Sequence, residues 1–168
     1  MTPVIAPDLA VIAQISITLA GFTGLVGVFQ ARGGMVLSNR QAFHIANLLM
    51  TSAFVVFLSF VPSWILLFPE SNGNVWLWSI RVLFVTHVIG WLVVLPFLLR
   101  GGLLLQNFRG VDRALILATG PLGLIAVVIE GCMSAGLWAP YVPFTYEGIL
   151  ILLLVAAMGN FLTLLLRP

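Results

Sequence analysis

Three charged side chains stand inside long apolar stretches of this 168-residue chain: Arg81, Glu130 and Glu147. A charge placed mid-helix in hydrocarbon costs about 2.5–3.5 kcal/mol on insertion scales, so each must face protein or water. At 1.5 Å of helical rise per residue, Arg81 lies roughly 9 Å from the outer end of its stretch. Glu130 lies roughly 12 Å and Glu147 roughly 4–5 Å from theirs, and the amide of Gln14 about 9 Å. Four polar groups at similar depth on four segments predict one cluster, whose simplest form is an Arg81–Glu130 ion pair. A buried pair of this kind either locks two helices in register or forms a binding or ion-pathway site.

The two histidines are weak ligand candidates. His87 falls roughly 18 Å from the outer face and His44 near the inner end of its own stretch, about 15 Å apart in depth. That separation excludes a haem held by both, and no HExxH spacing accompanies either residue. Hydrogen bonding between helices is the expected role of each. Asn47, Thr51 and Ser59 extend a polar line from His44, and Asn160 and Thr163 match it in depth. Cys132 is the single cysteine, which rules out an intrachain disulfide or a cysteine-based metal cage. No metal and no cofactor are expected.

The segments that must position these groups are five apolar runs: 9–30, 43–67, 75–99, 114–138 and 144–166. Each has 22 residues or more, and a bilayer core of about 30 Å needs about 20 in a helix. Charged residues make up 7% of the chain, against about 25% in soluble domains, and mean hydropathy is +1.18. The expected fold is therefore all-α: a compact bundle of five transmembrane helices forming a single domain over residues 1–168. The first run lacks the positive flank and short core of a signal peptide, so it is read as a span.

Arginine sets the expected orientation. Arg32 and Arg40 lie between runs one and two, Arg100, Arg109 and Arg113 between runs three and four, and Arg167 after run five. The other two turns hold none, and lysine is absent throughout. Basic loops stay cytoplasmic, so the N-terminus is expected outside and the C-terminus inside. The expected location is a membrane, specifically a bacterial inner (plasma) membrane. Trp64, Trp76, Trp78, Trp138, Tyr141 and Tyr146 fall at the predicted outer ends, where amphipathic rings prefer to sit. The turn 138–143 carries two prolines and is expected to be extended. Pro62, Pro96 and Pro121 are expected to kink their helices.

Run one carries small residues at spacings of three and four: Ala13, Ser16, Ala20, Gly24 and Gly27 are its central members. Such a face lets helix backbones approach closely in lipid. It serves either packing within the chain or association with another one.

No reaction motif appears, so the chain reads as non-enzymatic. The expected function is a structural or accessory subunit of a homo- or hetero-oligomeric membrane assembly. The alternative is a small homo-oligomeric ion channel or transporter built on the charged cluster. Membrane lipids and either further copies or other membrane proteins are the expected partners. Nucleic acid is not, because the few arginines form no basic face.

Overall fold

The computed structural model describes residues 8–32, 39–68, 74–100 and 111–165, with the side chains of 30–32, 39–40, 94–100 and 111–116 left aside. It is all-α. Five helices follow in order: α1 Asp8–Arg32, α2 Asn39–Ile65, α3 Val75–Arg100, α4 Val111–Ser134 and α5 Val142–Leu165. All five are long and apolar enough to cross a membrane. The protein is thus an integral membrane protein by the length and composition of its helices. Arg109 and Arg167 lie outside the described residues, as do the side chains of Arg32, Arg40, Arg100 and Arg113.

The exposed surface of the helices shows what solvent they meet. Phe22, Leu25 and Phe29 of α1, Phe57 and Phe60 of α2, Leu124 and Val128 of α4, and Ile151 and Val155 of α5 all point outward. Apolar surface on this scale is a liability in water, but hydrocarbon solvates it without cost. Many of the polar residues take the opposite side, Gln14 and Thr18 of α1 excepted. Ser16, Thr23, Ser52, Ser59, Ser79 and Thr163 are buried. Most of their hydroxyls return to a carbonyl one turn earlier: Ser16 donates to Ile12 O at 2.9 Å, Thr23 to Leu19 O at 2.8 Å and Ser59 to Val55 O at 2.7 Å. Such back-bonding leaves a serine or threonine nearly apolar on its outer surface.

The chain divides into two compact units. One holds α1, α2 up to Ser63 and α5 from Glu147; the other is Trp64–Tyr146. In the first unit, Leu9, Ile12, Ala13, Ser16, Leu19 and Thr23 form the buried stripe of α1. The small-residue face predicted for this helix therefore divides. Ala13 and Ser16 are buried, whereas Gly24 is exposed and a methyl group added at Gly21, Gly24 or Gly27 would meet nothing within 4 Å.

In the second unit α3 packs against α4. The end of α4 comes four residues earlier than the apolar run, and the reason is local. Gly136 adopts φ +92°, a conformation open to glycine at little cost. Leu137 N then donates to Cys132 O at 3.2 Å and Gly136 N to Met133 O at 2.9 Å, which satisfies two of the last carbonyls of the helix. Trp138 is left-handed as well, at φ 55°. The following turn is not extended as expected: Ala139–Tyr141 is a short 3-10 helix running directly into α5. Proline in the first turn of a helix removes only a donor that has no partner within the helix anyway, so Pro140 and Pro143, each the second residue of its element, are compatible with helix there. Pro62 and Pro121 likewise sit within continuous helix.

Candidate functional site on the third and fourth helices

The α3–α4 contact is a ladder of paired positions. Arg81 meets Ser134, Phe84 meets Gly131, His87 meets Glu130 and Trp91 meets Gly123. As α3 ascends in number α4 descends, so the helices are antiparallel. The α3 members recur at spacings of three and four, which keeps them on one face. On α4 the two glycines are recesses for aromatic rings. A Cβ at Gly131 would lie 3.3 Å from the Phe84 ring, and one at Gly123 only 2.9 Å from that of Trp91. Glycine therefore fixes how closely α3 and α4 approach, and that approach brings two polar groups into contact between the recesses.

Those groups are His87 and Glu130. His87 Nδ1 lies 2.8 Å from Glu130 Oε1, a distance typical of a charge-assisted hydrogen bond. The Glu130 side chain is completely buried and that of His87 is 12% exposed. Glu130 Oε2 is buried with no hydrogen-bond partner among the described residues. One carboxyl oxygen is thus committed to the imidazole, and the other meets no donor among the described residues.

The predicted Arg81–Glu130 pair does not form. Arg81 Nε donates instead to the carbonyl of Ser134 at 3.1 Å, and its guanidinium stacks 4.9 Å from the Trp78 ring. That carbonyl lies in the last turn of α4, where acceptors are left over and cations are favoured. The cause of the mismatch is that depth was counted from each helix's own end. The ends are not level: Arg81, six residues into α3, already meets the last residue of α4. The start of α3 therefore overhangs α4 by about 9 Å. Glu130 consequently faces His87, one to two turns further along α3 than Arg81.

The remaining members of the predicted cluster lie in the first unit. Glu147, near the start of α5, has Asp8 as its charged neighbour. Gln14 is exposed on α1. The same unit holds the second histidine contact, and here matching by depth succeeds. His44 Nδ1 lies 2.9 Å from Asn160 Oδ1, joining α2 to α5. Asn160 Nδ2 donates to Ala156 O at 2.9 Å, which orients the amide with its oxygen toward His44. Asn160 Oδ1 can only accept, so His44 donates through Nδ1.

The outer-end aromatics also divide. Trp64, Trp78, Trp138 and Tyr141 are exposed. Tyr146 is wholly buried and meets Trp76 edge-on with ring centroids 6.0 Å apart. Among the described residues, no three His, Cys, Asp or Glu side chains gather as a metal site would require.

Sequence reasoning missed the His87–Glu130 partnership although a signal existed. Phe84, His87 and Trp91 share one face of α3, and Gly123, Glu130 and Gly131 share one face of α4. Large rings on one helix facing glycines on another mark a close seam.

The chain matches no protein-family model, no curated protein and no solved structure.

Proposed function

We propose that this protein is a non-enzymatic structural or accessory subunit of an oligomeric membrane assembly, joined to a second copy or to another membrane protein through α1. The observation that carries the reading is the outward face of that helix. Ala10, Gln14, Ile17, Gly21, Gly24 and Val28 are all exposed. Their alternating spacing of four and three is the seam pattern of paired helices. Two glycines on this seam have open space beside them, which permits close approach of another backbone. The Gln14 amide, which lipid cannot hydrogen-bond, has no side-chain partner among the described residues. Purification in mild detergent tests the reading. The expected result is an oligomer or a larger complex, weakened by Gly24→Leu and by Gln14→Leu without loss of helix content. A uniform monomer unchanged by either substitution counts against it.

A second reading, a small homo-oligomeric channel or transporter, is favoured by the buried His87–Glu130 pair. Ionisable residues inside a membrane commonly mark ion or proton pathways. Under that reading Glu130→Gln preserves assembly and abolishes flux in liposomes. Both readings use the same orientation, with the N-terminus outside, the C-terminus inside, and a bacterial inner membrane as the setting. The arginine distribution supports it. Reporter fusions at Gly34, Gly73, Gly102 and the C-terminus should read in, out, in, in; an inside signal at Gly73 overturns the topology.

A further inference from the structure

We infer that His87 and Glu130 form a proton-binding site that gains and loses one proton as a unit, with His87 as the member that exchanges it. Geometry and donor chemistry support this. The two side chains meet at 2.8 Å through Nδ1 and Oε1, so a proton between them can reside on either atom. Glu130 is completely enclosed, whereas the His87 side chain keeps 12% of its surface exposed. The imidazole is therefore the one member of the pair with surface through which a proton can leave.

The two states balance simply. In the loaded state the pair is neutral overall. The acid donates its O–H to Nδ1 while Nε2 bears hydrogen, the form that keeps both groups neutral where the second carboxyl oxygen has no donor. Release of the Nε2 proton to a water molecule admitted at that exposed surface, which leaves as hydronium, gives a neutral imidazole that donates Nδ1–H to the Glu130 carboxylate. The pair then carries one negative charge, and its 2.8 Å contact survives in both states. Proton exchange therefore requires no separation of α3 and α4. The orphaned Oε2 gives the site its sensitivity: in the released state that oxygen shares a full charge with no donor to meet it.

Among the described side chains of this unit, the other titratable or charged groups are held elsewhere. Arg81 is held at Ser134 O and the Trp78 ring, and Tyr146 packs on Trp76. Cys132 and Tyr141 are the remaining ones among the described side chains. His44 supplies a contrast within the same chain. Its Nδ1 partner is an amide oxygen, which accepts a hydrogen bond but cannot take the proton.

The inference concerns binding and stands whether or not a proton crosses the membrane, so a negative flux result would remove the transporter reading alone. The test is a pH titration of the full chain, labelled with 15N at histidine and reconstituted in liposomes. Magnetic resonance reads the ring nitrogens and infrared difference spectroscopy the carboxyl carbonyl stretch. The His87 signal is assigned by its loss in His87→Gln. The expected result is a His87 nitrogen step at the same midpoint as a carboxyl step. Glu130→Gln, which retains the shape, should abolish the carboxyl step and move the His87 midpoint by at least about one pH unit. Two results overturn the inference. One is a wild-type His87 and carboxyl spectrum unchanged throughout the range in which the helices persist. The other is a His87 midpoint identical in wild type and Glu130→Gln.

Discussion

Alanine substitution at three glycines separates the seam inside the chain from the open face of α1. In a helix interior, glycine to alanine gains about 1 kcal/mol of intrinsic propensity. At Gly24 nothing lies within 4 Å of the new methyl, so the gain is realised and Gly24→Ala is expected to stabilise the isolated chain by about 1 kcal/mol. At Gly131 the methyl would sit 3.3 Å from the Phe84 ring. That asks for a few tenths of an ångström of movement, and the two effects should roughly cancel. At Gly123 the separation is 2.9 Å from the Trp91 ring. Inserting a methyl into a filled site costs about 1–3 kcal/mol, which leaves Gly123→Ala destabilised by about 0–2 kcal/mol after the propensity gain. The predicted order of stability is therefore Gly24→Ala, then Gly131→Ala, then Gly123→Ala, with about 1–3 kcal/mol between the extremes. Unfolding by denaturing detergent in mild micelles, followed by helicity, measures the order. Trp91→Leu in the Gly123→Ala background should recover part of the loss, because it removes the atoms the methyl strikes. A Gly123→Ala variant as stable as Gly24→Ala would refute the close α3–α4 approach, and with it the placement of His87 against Glu130.

The polar contacts give three further expectations. His87→Ala strands the buried Glu130 carboxyl and should cost about 3–5 kcal/mol, less if the acid protonates. Adding Glu130→Gln should return part of that in the same unfolding assay. Arg81→Ala should cost about 1–2 kcal/mol for its hydrogen bond and ring contact. It should also add to Glu130→Gln within about 0.5 kcal/mol, because the two side chains are not partners; a larger coupling would restore the ion pair expected from depth. A double-mutant cycle on His44→Ala and Asn160→Ala should yield a coupling of about 0.6–2 kcal/mol between α2 and α5.

Much of the architecture was legible because lipid imposes a single requirement. A span must be long and apolar, and its backbone must satisfy itself. Runs of that kind identify helices without reference to anything they touch, so five were predicted and five are present. Their ends were less legible. The apolar run through Leu137 and Trp138 continues past the last turn of α4, because hydrophobicity does not register the reversal at Gly136. Proline at 140 and 143 signalled an interruption but not its form, since the same residue suits an extended turn and a helix start.

The partners of the polar groups depended on a different quantity. Counting residues from a helix end gives depth along one axis. It says nothing of how far that helix slides against its neighbour or which face it turns inward. Where helices happened to align, His44 and Asn160 could be matched by depth. Where α3 overhangs α4, the same counting gave Glu130 the wrong partner. Run one shows the limit for rotation. Its small residues span more than one side of the helix, and only packing could bury Ala13 and Ser16 while leaving Gly24 in the open. Sequence alone determined that this chain lives in a membrane and how many helices it offers, because burial in lipid is a property of each segment. Only tertiary structure decided that a histidine holds the buried glutamate, because register and rotation arise when glycine recesses on one helix admit the rings of another.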